Sequence, residues 1–175
     1  LGLTDTRSYA EFEILNFLQK QNFNTCKPII GWFTYQNAIF YRASLIVERL
    51  TDTVTLSCYL TTNSDDQLFY SIGKQISSMH KLGIYHGDLN AHNILINENY
   101  GSSLDKSRKA FNDSSYIYII DFDKSLIGVD HRIFPGLMSK NLSRLKQSLI
   151  KLGYKDLLTT RWDSLMDGYL SLADY

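Results

Sequence analysis

The chain has 175 residues, zero formal net charge and 44% hydrophobic content. That length suits one domain, or one and a fraction, of ordinary globular composition. A balanced charge excludes a global field that would recruit nucleic acid or anionic lipid, so any attraction to a charged partner must be local. Cys26 and Cys58 lack metal-site spacing and read as reduced, buried thiols of a cytosolic protein. No run reaches the length of a spanning helix and none reads as a signal peptide, so a soluble or peripheral protein is expected.

Residues 8–20 carry Phe12, Leu15 and Leu18 at helical spacing, with Thr6 or Ser8 as cap. Residues 28–35 predict a strand and Gln36-Asn37 a turn; residues 38–47 predict a second and third run around Arg42. Residues 44–50 then leave the sheet. Residues 51–60 predict a short helix or turn. Asn63-Ser-Asp-Asp is a cap cluster for a long helix, 65–81, with Leu68, Phe69, Ile72, Ile76 and Met79 on one face. Gly83 is placed to end it. His80, near that end, is expected to be a capping or buried polar residue rather than a ligand.

The chain then reaches His86-Gly-Asp-Leu-Asn-Ala-His-Asn-Ile-Leu-Ile. This fits His-x-Asp-x-x-x-x-Asn, the catalytic-loop pattern of protein-kinase-like phosphotransferases. Asp88, in a loop after a helix, can accept the proton of a substrate hydroxyl. Asn93 enters the apolar run 94–96, and its amide oxygen is a hard ligand suited to Mg²⁺. Further on, Asp121 ends an apolar strand and can bridge metal to nucleotide phosphates. Phosphoryl transfer is mostly positioning and charge neutralisation, so a base, an amide and a carboxylate make a minimal set. His86 belongs to the catalytic motif as a brace for its backbone. The competing interpretation is a polar turn between a helix and a hairpin; the strand ending in Asp-Phe-Asp argues against it.

Residues 97–115 are polar, with Lys106, Arg108 and Lys109, and separate the two strands of the expected hairpin. The basic triplet either meets anionic lipid heads or is a solvated loop. Residues 125–138 are expected to form a loop framing the acceptor. Residues 139–152 predict a helix buried through Leu142, Leu145, Leu149 and Leu152 and made basic by Lys140, Arg144, Lys146 and Lys151. Those cations are either a solvated face or a seat for acceptor phosphates, with Arg144 the first candidate. Trp162, Leu165, Met166 and Tyr169 predict a last packing helix.

Three segments together carry a specific resemblance: 86–96, Ile119-Ile-Asp-Phe-Asp-Lys-Ser, and Asn141-Leu-Ser-Arg-Leu-Lys-Gln-Ser-Leu. They resemble the 3-deoxy-D-manno-octulosonic acid (Kdo) kinases of the lipopolysaccharide kinase family. The resemblance implies an α+β, protein-kinase-like fold. Residues 1–50 would be a partial N-terminal β lobe with one large helix, and 51–175 a mostly helical C-terminal lobe. It implies ATP-dependent phosphorylation, with Mg²⁺, of the 4-hydroxyl of Kdo on a lipid A precursor. The partners implied are that glycolipid and, peripherally, the cytoplasmic side of the bacterial inner membrane; nucleic acid is not expected. Glu11 would be the helix glutamate that pairs a strand lysine over the nucleotide phosphates. Main-chain atoms of Glu48, Arg49 and Leu50 would form the hinge that reads adenine. Asn90 and His92 accompany the motif and either contact sugar or phosphate or hold loop backbone. Asp123 is either a second metal ligand or a partner of Lys124, and a supporting carboxylate is favoured.

The chain departs from the family pattern in one respect. No lysine precedes Lys20 and no Gly-rich loop precedes Ser8. An N-terminally truncated chain is expected, with an exposed sheet edge and apolar surface. Alternatives are a heptose or other small-molecule sugar kinase of the same superfamily, or a non-catalytic, kinase-like binding protein.

Overall fold

The computed structural model describes residues 6–37, 41–63, 65–100, 114–128 and 133–172. The basic triplet Lys106, Arg108 and Lys109 lies outside them. The element order is α1 (Arg7–Lys20), β1 (Pro28–Tyr35), β2 (Tyr41–Val47), β3 (Thr53–Thr55), α2 (Leu56–Tyr59), α3 (Asp66–Lys81), β4 (Ile84–Tyr85), β5 (Ile94–Asn97), β6 (Ile117–Ile119), β7 (Leu126–Ile127), α4 (Phe134–Lys151) and α5 (Lys155–Leu170). The strands make three small antiparallel sheets: β1-β2, β3-β5-β6 and β4-β7. Among the described residues, no helix is long and apolar enough to cross a membrane.

Local chemistry sets most boundaries. Thr6 caps α1, its hydroxyl accepting the Tyr9 N–H at 3.3 Å. Asp65 caps α3 by accepting the Leu68 N–H at 2.6 Å. After α3, Gly83 takes φ +71 and returns its N–H to the His80 carbonyl, a conformation that costs glycine nothing. Residues 53–55 form a strand where a helix or turn is expected, because Val54 pairs with Ile96 of the hairpin. Residues 41–47 are one strand, not two runs. Helix α4 begins at Phe134, ahead of its expected start, because Pro135 in its first turn lacks only an N–H that the helix does not use. The loop expected over 125–138 is correspondingly interrupted by β7 and shortened by α4.

One hydrophobic cluster runs from Ile14, Leu15 and Leu18 of α1, through Leu68, Phe69, Ile72, Ile76 and Met79 of α3, to Leu145, Leu149 and Leu165. The α4 stripe is narrower than expected: Leu145 and Leu149 are buried, whereas Leu152 is 39% exposed and Asn141 is fully buried. The β1-β2 ribbon lays Gly31 against Phe12 and leaves Ile29, Ile30, Trp32, Tyr35 and Ile46 exposed.

Helices α3 and α5 approach closely at two glycines. A Cβ on Gly73 would lie 2.0 Å from the Leu165 carbonyl oxygen, and one on Gly168 would lie 2.0 Å from that of Tyr70. Backbone cannot yield as a flexible side chain can, so even alanine forces the helices apart. Gly73→Ala is expected to cost about 3 kcal/mol, in the range of core overpacking. Urea unfolding should show a lower midpoint with an unchanged slope.

Candidate active site

The loop between β4 and β5 is held by one helix. In α4, Asn141, Arg144 and Ser148 follow each other at i, i+3 and i+7, and all three bond to the loop main chain. The Asn141 Oδ1 accepts the His86 N–H at 3.1 Å, and its Nδ2 donates to the His86 carbonyl at 2.5 Å. The Arg144 guanidinium donates to the Gly87 carbonyl. The Ser148 hydroxyl accepts the Ala91 N–H at 3.1 Å. Arg144, expected to serve the acceptor, is thus committed to the loop.

A second buried layer sits behind. The His80 Nε2 donates to Asn141 Oδ1 at 3.1 Å, and its Nδ1 accepts the Tyr169 hydroxyl at 2.8 Å. The oxygen of Asn141 already receives an N–H from His86, so Nε2 must carry the His80 proton and Nδ1 must accept. Burial of this ring pushes its pKa down to about 4. His80 is therefore a neutral, satisfied core residue, as its helix position suggests.

His86 is fully buried. Its Nε2 donates to the Ile120 carbonyl at 3.0 Å, its Nδ1 accepts the Asp88 N–H at 3.1 Å, and its ring leans on Phe122 at 4.8 Å. Burial holds this imidazole below its usual range. Both nitrogens are engaged, so His86 ties Asp88 to the segment bearing Asp121 and does not face reactants. Gly87 permits the contact: a Cβ there would meet the Lys124 carbonyl oxygen at 2.1 Å.

The Asn93 Nδ2 donates to the Asp88 carbonyl at 2.9 Å and to Asp121 Oδ2 at 3.4 Å. Both partners are acceptors, which fixes the amide orientation and leaves Oδ1 free to ligate. Asp121 adopts φ +66, a left-handed conformation that costs a non-glycine residue about 1–2 kcal/mol. The surrounding bonds hold it there, with Ile120 donating its N–H to the Asn93 carbonyl at 3.0 Å. Asn93 and Asp121 offer two hard oxygen donors, the kind of sparse set that Mg²⁺ uses alongside phosphates and water.

Two clefts are lined by the acids that this amide links, one by Asp121 and one by Asp88. One, about 420 Å³, is lined by Glu11, Cys26, Leu45, Glu48, Leu50 and Asp121. The other, about 510 Å³, is lined by Asp88 and His92 on one side and Lys140, Gln147 and Lys151 of α4 on the other. Asp88 and Asp121 thus open onto neighbouring clefts, with Asn93 between them.

Glu11 stands beside Asp121. Burial, then the charges of Asp121 and Asp123, push its carboxyl up to about 7, while the Phe122 N–H pulls the other way. No lysine or arginine among the described residues pairs with it. Of the expected hinge, the Glu48 N–H is already spent on the Lys27 carbonyl at 2.8 Å. The Leu50 carbonyl accepts the Thr53 hydroxyl at 3.3 Å. Glu48, Arg49 and Leu50 all line the first cleft, with the Glu48 N–H already engaged. Asn90 is a loop brace, accepting the His92 N–H at 2.8 Å and donating to the Asp88 carbonyl at 3.1 Å. His92 is exposed, with Nδ1 on the Ser57 hydroxyl at 3.1 Å. Asn141 and Ser148 were not singled out by sequence reasoning. Their signal was a polar row at helical spacing beside the leucine row.

Comparison with known proteins places the chain in a family. Residues 1–169 match the lipopolysaccharide kinase (Kdo/WaaP) family. A 3-deoxy-D-manno-octulosonic acid kinase of Vibrio vulnificus strain YJ016 is 35% identical over 147 residues, covering 83% of this chain and 54% of that protein. The chain thus spans about half the length of that curated relative. A solved structure of WaaP in complex with acyl carrier protein superposes with TM-score 0.67 at 17% identity, over 95% of this chain and 67% of that one. The Rio2 kinase–ADP/Mg²⁺–phosphoaspartate complex from Chaetomium thermophilum superposes with TM-score 0.53 at 22% identity, over 95% of this chain and 48% of that one. The shared architecture is the α+β, protein-kinase-like fold.

Two measurements test the brace. Asn141→Ala strips partners from the His86 N–H and carbonyl and from the His80 N–H. At about 1–3 kcal/mol for each buried group left unsatisfied, a loss of at least 3 kcal/mol is expected in urea unfolding. His80 contributes a pH dependence. Below about pH 6.5 the unfolded chain takes a proton on this ring that the folded chain refuses until about 4. Stability from this ring is complete above 6.5 and falls as pH drops toward 4, by about 3 kcal/mol at most. Glu11 acts oppositely between 4.5 and 7, so the difference between wild type and His80→Gln across this range isolates His80.

Proposed function

Because the chain belongs to the lipopolysaccharide kinase (Kdo/WaaP) family, we propose that it is the catalytic part of an ATP-dependent kinase acting on the 4-hydroxyl of Kdo on a lipid A precursor, in lipopolysaccharide core biosynthesis. The carrying observation is the Asn93 amide, which joins the loop carrying Asp88 to the Asp121 carboxylate, so that two acids lining separate clefts share one bridge. Residues 1–50 serve as the N-terminal lobe portion and 51–175 as the catalytic lobe. The protein works peripherally at the cytoplasmic side of the inner membrane, where such a glycolipid presents its sugar.

In this mechanism the first cleft takes the nucleotide. Main-chain groups of Glu48, Arg49 and Leu50 face its base. Asn93 Oδ1 and an Asp121 oxygen hold Mg²⁺, which when bound neutralises charge on the phosphates. The second cleft takes the acceptor sugar, with its hydroxyl at the Asp88 carboxylate. Asp88 accepts the hydroxyl proton as the sugar oxygen bonds to the γ-phosphorus and the bond to the ADP oxygen breaks. His86 positions Asp88 and the Asp121 segment through Ile120. Glu11 supports the phosphate side of the nucleotide cleft.

Glu11 also favours a second reading. Its carboxyl is raised to about 7 by burial and the charges of Asp121 and Asp123, which suits a kinase-like protein that binds without turnover. One experiment separates the two. In the full-length protein with ATP, Mg²⁺ and a Kdo-lipid acceptor, Asp88→Ala should lower turnover by about 10²–10⁴-fold. Nucleotide affinity should stay within a few-fold. Mass spectrometry of the lipid identifies the product. Equal turnover in the mutant, or none in the wild type, defeats the enzyme reading; a phosphate on heptose instead of Kdo moves it to the heptose kinases.

A further inference from the structure

Asp88 is connected to the last helix, α5, by a continuous line of side chains. The Tyr169 hydroxyl meets His80 Nδ1 at 2.8 Å, and His80 Nε2 meets Asn141 Oδ1 at 3.1 Å. The same oxygen takes the His86 N–H at 3.1 Å, and His86 Nδ1 takes the Asp88 N–H at 3.1 Å. All four side chains are buried, so water offers them few substitute partners. Tyr169 lines neither of the two clefts.

The direction of each bond follows from the donors present. The His86 main chain fixes the Asn141 amide, with Oδ1 toward its N–H and Nδ2 toward its carbonyl. His80 must then present a proton to Oδ1, because a bare ring nitrogen would set two acceptors 3.1 Å apart. A neutral imidazole carries one such proton, so Nδ1 is bare and needs a donor of its own. The Tyr169 O–H is that donor. His86 is locked in the same tautomer, with Nε2 donating to the Ile120 carbonyl. Two histidines, both protonated at Nε2, thus stand between α5 and Asp88.

We propose that Tyr169 is a positioning residue for Asp88: its hydroxyl selects the His80 tautomer that donates to Asn141, and so holds the main chain that presents Asp88. Without the hydroxyl, the Nδ1–H form of His80 becomes accessible. That form turns a lone pair on Asn141 Oδ1 and drives the amide off the His86 main chain. The proposal deepens the kinase reading and rests on it only for what Asp88 does.

The test is Tyr169→Phe in the full-length protein with ATP, Mg²⁺ and a Kdo-lipid acceptor. The ring stays and only the hydroxyl goes. Turnover at saturating substrates should fall about tenfold, the rate equivalent of one hydrogen bond, with KM for ATP within about twofold. Leu158→Ala truncates a buried α5 leucine about three turns before Tyr169. It should lower stability and leave the turnover of folded protein unchanged. His80→Gln is the second variant. An amide has no tautomers, so its nitrogen can donate to Asn141 with or without Tyr169. Adding Tyr169→Phe to His80→Gln should therefore change turnover by less than about twofold. Imidazole nitrogen NMR reads the line without turnover. The wild type should show Nε2 protonated on both rings, and Tyr169→Phe should mix the His80 tautomers and shift the Asp88 amide signal. An unmoved His80 tautomer or Asp88 amide in Tyr169→Phe overturns the proposal. So does turnover equal to that of an active wild type, or a tenfold loss that persists in the His80→Gln background. If the wild type transfers no phosphate, the kinase reading fails, and the NMR signals alone decide whether Tyr169 positions Asp88.

Discussion

The arrangement rests on one carboxamide. Asn141 pairs with the main chain of His86 in the way a neighbouring strand would, one bond in and one bond out. No strand is available there, because β4 ends at Tyr85 and the loop must open to solvent at Asp88. A helix side chain substitutes for a sheet partner. Its burial makes the pairing strict: an amide at this position matches all three groups that face it, and a smaller or purely apolar residue matches none. His80 and Tyr169 extend the same network into α3 and α5. The reactive loop is therefore referenced to the helical core, not to the sheet from which it emerges.

A consequence of that geometry is the division of charge. The acids gather beside the first cleft, where burial and then the charges of Asp121 and Asp123 raise the Glu11 carboxyl. The cations gather along α4 on the other side. On the proposed kinase reading, a Mg²⁺ ion at Asn93 and Asp121 would bring positive charge to the first group. The strained backbone of Asp121 belongs to the same design, since its left-handed turn aims the carboxylate back toward Asn93.

Much of this was legible in the chain. Thr6, Asp65 and Gly83 mark helix ends because capping is a local transaction between a residue and its next neighbours. The motif from His86 to Asn93 is legible because its spacing carries chemistry. The strand over 53–55 was not, because three residues hold no periodicity and Val54 is recruited by Ile96, far along the chain. The start of α4 was missed through Pro135, a helix breaker everywhere except in the first turn. The bonds of Asn141, Arg144 and Ser148 to the loop were not legible for a related reason. A polar row beside a leucine stripe looks like a wet helix face until the loop that lies on it is known. Glu48 shows the same limit: nothing in its neighbourhood reveals that Lys27 takes its N–H.

The contact at Gly87 has a mechanical consequence. Because the loop backbone lies directly on the carbonyl of Lys124, the arm bearing Asp88 and the arm bearing Asp121 cannot breathe independently. They should exchange their amide hydrogens as one cooperative unit with α4. Any change in the width of the first cleft must then come from displacement of α1 and its two-stranded ribbon, leaving the floor rigid.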